Sequence, residues 1–337
     1  MTTMEYRRLG RSGLEASVLC LGTMTFGDRT SADEAQAIVA SARDAGVNFI
    51  DTADAYVRGE AERIVGAAIK PHRRQWILAT KAGNVLTARP HDGGLSRRWL
   101  VQACEDSLGR LGTDWIDIYY LHKDDWATPI AETVGAIGDL IRAGKIRYFG
   151  VSNYHGWRIA EVVHECARQN VPPPVICQPY YNLLNRMPEV EILPACDHYG
   201  IGVAAYSPIA RGVLSGKYAA DGTAPGDSRA AVRDGRFLET EHRAESYAIA
   251  QRLAAHAQRT GRTSTAFALA WLWANRILSS VVAGPRTLAQ WHDYIAAIGT
   301  PWSDEDEALV DALVRPGHPS TPGYTDPRYP FFGRRLA

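Results

Sequence analysis

The feature that most constrains the fold is an alternation of short apolar runs with amphipathic stretches, repeated eight times along the chain. The predicted strands cover residues 17–21, 48–51, 76–80, 116–121, 148–152, 175–178, 202–206 and 279–282. Several runs are apolar on both faces, as are strands of a parallel sheet covered by helices. This pattern predicts an α/β protein with a closed (β/α)8 TIM barrel, with an open doubly wound sheet as the alternative.

Two kinds of segment stand outside this alternation. Residues 5–16 are predicted to form an N-terminal β-hairpin, and residues 207–241 and 315–337 are predicted to be long loops at the C-terminal face. The first helix is expected to open with a capping box between Ser31 and Glu34. Since no linker-like change of composition divides the chain, we expect a single domain over residues 1–337.

Composition excludes several function classes. The 337 residues are 46% hydrophobic and carry 37 basic against 37 acidic side chains, so nothing indicates nucleic acid or an anionic membrane surface as a partner. With no apolar run of membrane-spanning length and no signal-like N-terminus, we expect a cytoplasmic protein. The five cysteines show no Cys-x-x-Cys spacing and are expected to be inert thiols. Nothing indicates the oligomeric state.

Several segments match known functional motifs only in part. The segment 200–205 fits a dinucleotide fingerprint but precedes a predicted strand, and 212–217 is one residue short of a phosphate loop. His164 and Glu165 begin a zinc-protease motif, but Arg168 replaces its second histidine. The other histidines lack metal-ligand spacing, so we expect no metal.

Four residues at predicted strand ends form a chemically interpretable set: Asp51, Tyr56, Lys81 and His122. The carboxyl ends of barrel strands meet at one mouth, where active sites of this fold lie. A tyrosine is a weak acid near neutral pH unless a cation stabilises its phenolate, and an aspartate can hold that cation in place. Singly, Asp51 could be a helix cap and His122 a core histidine. Taken together, the four residues indicate that Tyr56 is a general acid that acts on a carbonyl oxygen.

Long ordered motifs then carry a family resemblance. They are GTMTFG (22–27), FIDTADAYVRGEAERIVG (49–66), ATKAG (79–83), SLGRLGTDWIDIYYLH (107–122), GKIRYFGVSN (144–153), QPYYNLLNR (178–186), AYSPIARGVLSGKY (205–218) and AGPRTLAQ (283–290). Over nearly its whole length the chain resembles the aldo-keto reductase family, closest to the bacterial branch that is similar to potassium-channel β-subunits. The resemblance implies a nicotinamide cofactor bound without a Rossmann domain, and a catalytic tetrad of Asp51, Tyr56, Lys81 and His122.

The resemblance also implies cofactor-binding positions. Ser152, Asn153 and Gln178 match the residues that hold the carboxamide, and Tyr206 matches the ring stacked on the nicotinamide. The remaining positions are Gly22, Thr23 and Met24 beside the nicotinamide, Ser207, Pro208, Ile209, Ala210, Arg211 and Lys217 over the pyrophosphate, and Gly284, Arg286 and Gln290 at the adenosine end. The family pattern has Asn where this chain has Tyr294, so the adenine contact there departs from the family.

Cofactor choice depends on the 2′-phosphate of NADP, which suits a guanidinium. Arg286 and Arg229 stand where the resemblance puts phosphate-binding residues, and the alternative is that both face solvent. We therefore expect NADPH to be preferred over NADH.

The resulting hypothesis is that the protein is an NADPH-dependent reductase of a small-molecule aldehyde or ketone. The alternative is a cofactor-sensing regulatory subunit with vestigial turnover. The sequence does not specify the substrate or the preferred direction.

The C-terminal segment 316–337 carries five prolines and four aromatic residues, so it is not expected to be helical. We expect Tyr324, Tyr329, Phe331 and Phe332 to pack rather than remain in water. They could pack on the outer helices or at the rim of the barrel mouth, and the sequence leaves both open.

Overall fold

The computed structural model describes residues 3–219, 221–223, 226 and 228–330. Two antiparallel strands, β1 (Tyr6–Arg8) and β2 (Glu15–Ser17), form the N-terminal hairpin. The barrel strands are β3 (Leu19–Gly22), β4 (Phe49–Asp51), β5 (Ile77–Ala82), β6 (Ile116–Leu121), β7 (Ile146–Ser152), β8 (Ile176–Gln178), β9 (Gly202–Tyr206) and β10 (Leu278–Ala283). All eight are parallel, and β10 pairs with both β9 and β3. The TIM-barrel prediction is therefore confirmed, and the open sheet is excluded because the barrel has no free edge.

Eleven α-helices are found in the described residues. They are α1 (Ala32–Asp44), α2 (Glu60–Ile69), α3 (Arg97–Leu111), α4 (Ile130–Arg142), α5 (Gly156–Gln169), α6 (Ile192–Tyr199), α7 (Gly235–Thr240), α8 (Ala244–Arg259), α9 (Ser264–Ala274), α10 (Leu288–Ala296) and α11 (Asp304–Leu313). Four short 3₁₀ segments cover Tyr56–Gly59, Lys70–Gln75, Met187–Glu189 and Ala210–Ser215.

The chain forms two compact units. The first contains Met1–Pro179, Glu191–Tyr206 and Arg276–Ile295, and it includes the hairpin and the whole barrel. The second contains Tyr180–Val190, Ser207–Asn275 and Ala296–Ala337, with helices α7, α8, α9 and α11. Whether the two fold as one domain stays a prediction.

The hairpin lies at the amino ends of the barrel strands. The amide of Arg11 donates to the carbonyl of Gly200, just before β9, at 2.9 Å. The guanidinium of Arg7 donates to the carbonyl of Leu278 at the start of β10, also at 2.9 Å. Leu9 is fully buried and belongs to the apolar cluster that fills the barrel. The hairpin thus covers the end of the barrel opposite to the carboxyl ends of the strands.

The expected capping box at α1 forms only in part. The Ser31 hydroxyl accepts the amide of Glu34 at 3.2 Å, as predicted. The Glu34 carboxylate does not return the bond to Ser31; it accepts the amide of Leu288 at 2.6 Å, at the first residue of α10. A carboxylate near a helix N-terminus is stabilised by the unpaired amides there and by the helix dipole. The Glu34 carboxylate thus caps α10, which is distant in sequence, and not its own helix α1.

Helix α9 was not expected from the sequence. Its segment, STAFALAWLWA, has seven buried residues in a continuous run from Ala266 to Leu272. A helix that is apolar on all sides shows no helical periodicity, so the pattern that identifies amphipathic helices is absent there.

The described part of the C-terminal segment packs within the second unit. Tyr324 lies beneath the guanidinium of Arg243, with 3.9 Å between the guanidinium carbon and the ring centroid. Arg236 pairs with Asp326 and lies 5.6 Å from the ring centroid of Tyr329. The two tyrosines therefore pack as expected, against α7 and against Arg243 just before α8. Phe331 and Phe332 lie outside the described residues.

A buried ionic cluster joins α8 to α11 in the second unit. Asp306 accepts a hydrogen bond from Nε2 of His256 at 2.7 Å and from Nη1 of Arg262 at 2.8 Å. Arg259 donates to Nδ1 of the same histidine at 3.2 Å, so Nε2 carries the proton given to Asp306. Asp306 also completes a capping box with Ser303. Hydrogen bonds from Arg262 hold the pKa of Asp306 well below its ordinary value.

We predict that Asp306→Asn lowers the free energy of unfolding by about 3 kcal/mol at neutral pH, because Arg262 and the helix start lose their anion. A lowered pKa stabilises the fold above the unfolded-state pKa of about 4, and this stabilisation is lost as the pH falls further. The difference between wild type and variant should therefore shrink below about pH 4, measured by urea denaturation.

Asp304→Asn is the matched control, because Asp304 is an exposed acid in the first turn of the same helix. Its loss should cost less than about 1 kcal/mol. Equal losses for the two variants would show that the buried cluster adds nothing beyond the helix dipole.

Candidate active site

The barrel brings the four predicted catalytic side chains to one end of its strands. Asp51 is the last residue of β4, Lys81 is the next-to-last residue of β5, and His122 directly follows β6. Tyr56 begins the short 3₁₀ segment after β4. Because parallel strands present their carboxyl ends at the same mouth, the four residues converge although the sequence separates them widely.

Lys81 lies at the centre of this group and has no exposed surface. Its ammonium pairs with Asp51, donates to the carbonyl of Thr52 at 2.8 Å and donates to the Tyr56 hydroxyl at 3.2 Å. Burial lowers the pKa of Lys81, but the charge of Asp51 and the hydrogen bonds to Asp51 and Tyr56 outweigh burial, so the net pKa is raised. The ammonium therefore stays charged across the neutral range.

Tyr56 is half-buried and is held by two neighbours. Its ring lies edge-on to the His122 ring, with 5.9 Å between centroids and an interplanar angle of 80°. The Lys81 ammonium lies 4.8 Å from the centroid of the Tyr56 ring as well as within reach of its hydroxyl. A cation held beside a phenol oxygen favours the ionised form of the phenol.

His122 is oriented by Asn84, which no motif in the sequence indicates. The Asn84 side-chain nitrogen lies 2.9 Å from Nδ1 of His122. An amide nitrogen only donates, so Nδ1 accepts and Nε2 carries the proton. Burial, with the charges of Lys81 and Lys123, lowers the pKa of His122 well below its ordinary value. His122 is thus a neutral imidazole that offers one N–H. The only sequence signal for Asn84 was its position three residues after Lys81.

Asn153 ties together three of the predicted cofactor positions. Its side-chain nitrogen donates to the Ser152 hydroxyl at 3.0 Å and to the carbonyl of His122 at 2.9 Å. Its side-chain oxygen accepts the Tyr206 hydroxyl at 2.8 Å. The backbone of Asn153 is left-handed, with φ of 57°, a conformation that Asn tolerates better than most residues. The half-buried Tyr206 ring is therefore held at its hydroxyl edge.

Gln178 connects this group to Asp51. Its side-chain nitrogen donates to the second carboxyl oxygen of Asp51 at 2.9 Å, while Lys81 holds the first. The Ser152 hydroxyl donates to the carbonyl of Gln178 at 2.8 Å. A continuous hydrogen-bonded chain thus runs from Tyr206 through Asn153, Ser152 and Gln178 to Asp51.

The last residue of β3 and the two residues that follow it have different surroundings. Thr23 is fully buried, and both its amide and its hydroxyl lie 3.0 Å from the carbonyl oxygen of Asp51. Met24 is 40% exposed. At Gly22 a Cβ would lie 2.9 Å from the Val282 side chain, so the position is restricted to glycine unless Val282 moves. Thr23 supports Asp51, and Met24 is available to a ligand.

The predicted adenosine positions follow β10 in the first unit. Gly284 is exposed, and the amide of Arg286 donates to the side-chain oxygen of Gln290 at 2.9 Å. The carbonyl of Arg286 accepts the Thr30 hydroxyl at 3.0 Å. Tyr294 is buried and packs edge-on against Trp291, with 6.4 Å between ring centroids. The departure from the family pattern at Tyr294 thus provides a packing residue.

The remaining predicted cofactor positions belong to the second unit. Ser207, Ala210 and Arg211 have positive φ angles of 57°, 48° and 50°. Pro208 and Ile209 lie between them, before the 3₁₀ segment. The guanidinium of Arg211 donates to the Thr240 hydroxyl at 3.2 Å and lies 4.0 Å from the buried Glu241 carboxylate.

The two other positively charged residues predicted to bind the cofactor, Lys217 and Arg229, also contact neighbouring side chains. The Lys217 ammonium lies 5.4 Å from the ring centroid of Tyr218. Arg229 donates to the Asp234 carboxylate at 2.7 Å. The Asp234 carboxylate therefore lies beside the guanidinium that is expected to bind the 2′-phosphate.

No cluster of three or more potential metal ligands occurs among the described residues. The barrel mouth thus brings together a phenol, a buried ammonium group and a neutral imidazole. Fold and site together define a TIM-barrel protein with an acid–base cluster at the carboxyl ends of its strands.

Comparisons with known proteins agree with this class. The model of the aldo/keto reductase family matches residues 18–315. The chain is 37% identical to the uncharacterized oxidoreductase YrpG of Bacillus subtilis, over 95% of this chain and 99% of the relative. It is 38% identical to a probable voltage-gated potassium channel subunit beta of Oryza sativa, over 83% and 87% of the two chains, and 36% identical to one of Arabidopsis thaliana, over 88% and 91%. The chain belongs to the aldo/keto reductase family.

Proposed function

We propose that the protein reduces an aldehyde or ketone to an alcohol with NADPH, reversibly, with Tyr56 as the general acid. The observation that carries this proposal is the buried Lys81 ammonium held between the Asp51 carboxylate and the Tyr56 hydroxyl. The Asp51 carboxylate already compensates the buried charge of Lys81, so a purely structural lysine would not require a half-buried phenol beside it. Proton transfer to a carbonyl oxygen does require an acid in such a position.

The proposed reaction divides between cofactor and protein. When bound, the nicotinamide supplies the hydride that reaches the carbonyl carbon. Tyr56 gives its proton to the carbonyl oxygen, and the Lys81 ammonium stabilises the phenolate that remains until solvent returns a proton. The neutral His122 donates its Nε2–H to the same oxygen and orients it. The carbonyl thus gains one hydride and one proton.

The first-unit residues around Tyr206 suit a nicotinamide. The amide side chains of Asn153 and Gln178 are fixed by hydrogen bonds, beside a half-buried ring whose hydroxyl is also fixed. A carboxamide-bearing ring needs a flat apolar partner and amide or hydroxyl groups in fixed positions. We propose Gly22, Met24, Gly284, Arg286 and Gln290 for the rest of the cofactor. The assignments of Ser207–Arg211, Lys217 and Arg229 rest on the family resemblance.

A cytoplasmic location is supported by the cysteines. All five are free and buried, a state typical of proteins from reducing compartments. Among the described residues, no helix has both the length and the apolar character needed to cross a membrane.

A cofactor-sensing regulatory subunit with vestigial turnover is the second candidate. It is favoured by the similarity to plant relatives named as probable potassium channel β-subunits. The arrangement of Asp51, Tyr56 and Lys81 suits both candidates, since a sensor can keep its catalytic groups. Oxidation of NADPH with a panel of aldehydes and ketones separates them, because a sensor binds the cofactor without consuming it at a useful rate.

We predict that Tyr56→Phe lowers turnover by roughly 10²–10⁴-fold, the usual contribution of a positioned general acid. The affinity for NADPH should change little, because the hydroxyl acts on the substrate. Turnover is followed by NADPH absorbance and affinity by fluorescence titration.

Tyr6→Phe is the control, because the exposed Tyr6 hydroxyl donates to the Gly46 carbonyl at 2.7 Å and lies in the hairpin. It should leave turnover unchanged. Near-wild-type turnover in Tyr56→Phe would remove Tyr56 from the mechanism.

We predict that Arg286→Ala weakens NADPH binding by about 1.5–3 kcal/mol, the scale of a hydrogen bond to a charged group. The affinity for NADH should stay nearly the same, because NADH lacks the 2′-phosphate. Fluorescence titration with both cofactors measures the difference. Arg98→Ala, at an exposed arginine on α3, controls for the loss of one surface charge. Equal losses for NADPH and NADH would mean that Arg286 does not read the 2′-phosphate.

A further inference from the structure

A second carboxyl group lies buried in the turn that carries Tyr56. Asp54 stands three residues after Asp51 and two before Tyr56, and it is 1% exposed. Its amide donates to the carbonyl of Lys81 at 3.1 Å, so its backbone is anchored to the catalytic lysine. Both carboxyl oxygens are buried, and neither has a hydrogen-bond partner of ordinary geometry among the described residues. An ionised carboxylate in such a place is strongly destabilising.

The two nearby cations are each paired with another carboxylate, Lys81 with Asp51 and Arg110 with Glu62. Glu62 on α2 is fully buried and accepts the Nε–H of Arg110 at 2.6 Å and the Thr80 hydroxyl at 2.5 Å. Arg110 also donates to the Ser107 hydroxyl at 3.1 Å. The guanidinium therefore compensates Glu62, and no described residue forms an ion pair with Asp54.

The groups that face Asp54 come from four elements. They are Glu62 on α2, Arg110 on α3, Lys81 on β5 and Tyr119 on β6. Burial, followed by the charge of Glu62, raises the pKa of Asp54 to about 7, against smaller opposing effects of Arg110, the Ala55 amide and Lys81. Two like charges in one buried place repel each other, so the neighbouring Glu62 favours the neutral form of Asp54.

The turn that carries Tyr56 is also strained. Val57, Arg58 and Gly59 have successive positive φ angles of 47°, 55° and 87°. A β-branched residue in this region is unusual and persists only where its surroundings hold it. A Cβ at Gly59 would lie 2.6 Å from the Arg110 side chain, so the turn fits closely around the arginine that neutralises Glu62. Because this turn is strained and contains Asp54, an outward movement of the turn would relieve both its backbone strain and the repulsion between an ionised Asp54 and Glu62.

We propose that Asp54 is a positioning residue for the reduction. As the neutral acid it lets the turn of residues 52–59 hold Tyr56 against Lys81, and as the carboxylate it displaces that turn. The kinetic part of this inference rests on the proposed function, whereas the movement of the turn does not. The proposal gives the reaction an alkaline limit that arises from Asp54 and is separate from the ionisation of Tyr56.

The kinetic test compares the pH profiles of wild type and Asp54→Asn, which has nearly the same shape and cannot ionise. In wild type, kcat for carbonyl reduction should fall roughly tenfold for each pH unit above about 7, because only the form with neutral Asp54 is active. In Asp54→Asn the ratio of kcat at about pH 9 to that at about pH 6 should rise at least tenfold over the wild-type ratio. Asp106→Asn, an exposed acid on α3, should keep the wild-type profile.

The same alkaline fall in wild type and Asp54→Asn would assign it to Tyr56 and overturn the proposal. A flat wild-type profile would overturn it as well.

Hydrogen exchange provides a test that needs no turnover and only the wild-type chain. The amides of residues 53–59 should lose protection as the pH passes about 7, beyond the intrinsic base-catalysed rise measured for α1 in the same sample. Unchanged relative protection would overturn the proposal even if Asp54→Asn fails to fold. If no carbonyl substrate is reduced, the proposed function fails, while the exchange measurement still decides the role of Asp54.

Discussion

The burial of one ammonium group, that of Lys81, organises the carboxyl end of the barrel. A charge with no access to water is tolerated only when paired and hydrogen-bonded, and Lys81 reaches a carboxylate, a backbone carbonyl and a phenol. Each partner is secured in turn, since Thr23 holds the backbone of Asp51 and Gln178 holds its second oxygen. The arrangement that makes the lysine tolerable in the core also places its ammonium group beside the Tyr56 hydroxyl.

The same arrangement links two parts of the site that the sequence presents as separate. A hydrogen-bonded chain leads from the Tyr206 ring to Asp51, which is the counter-ion of Lys81. Residues assigned to cofactor binding and residues assigned to proton transfer share one set of bonds, so substitutions in the two groups are not expected to be additive.

The sequence predicted the barrel well because strand positions depend on local pattern. The strands at residues 116–121 and 202–206 have the predicted bounds, each following a helix that ends at Gly112 or Gly200. Contacts between distant segments were not predictable in this way. Nothing in the sequence shows that the Glu34 carboxylate caps α10, or that Asn84 sets the tautomer of His122. The environment of Asp54 likewise depends on α2 and α3, which only the folded chain brings to it.

The hairpin at the amino ends of the strands has a consequence for how the chain folds. Arg7 bonds to Leu278, and the Ser279 hydroxyl bonds to the carbonyl of Arg8, so each bond joins residues that are 271 positions apart in the sequence. Contacts this distant in sequence carry a large loop-closure cost and form late. The buried position of Leu9 in the apolar cluster of the barrel depends on the same hairpin. The amino end of the barrel is therefore expected to close late in folding, because the hairpin bonds to β10 cannot form before β10 is in place.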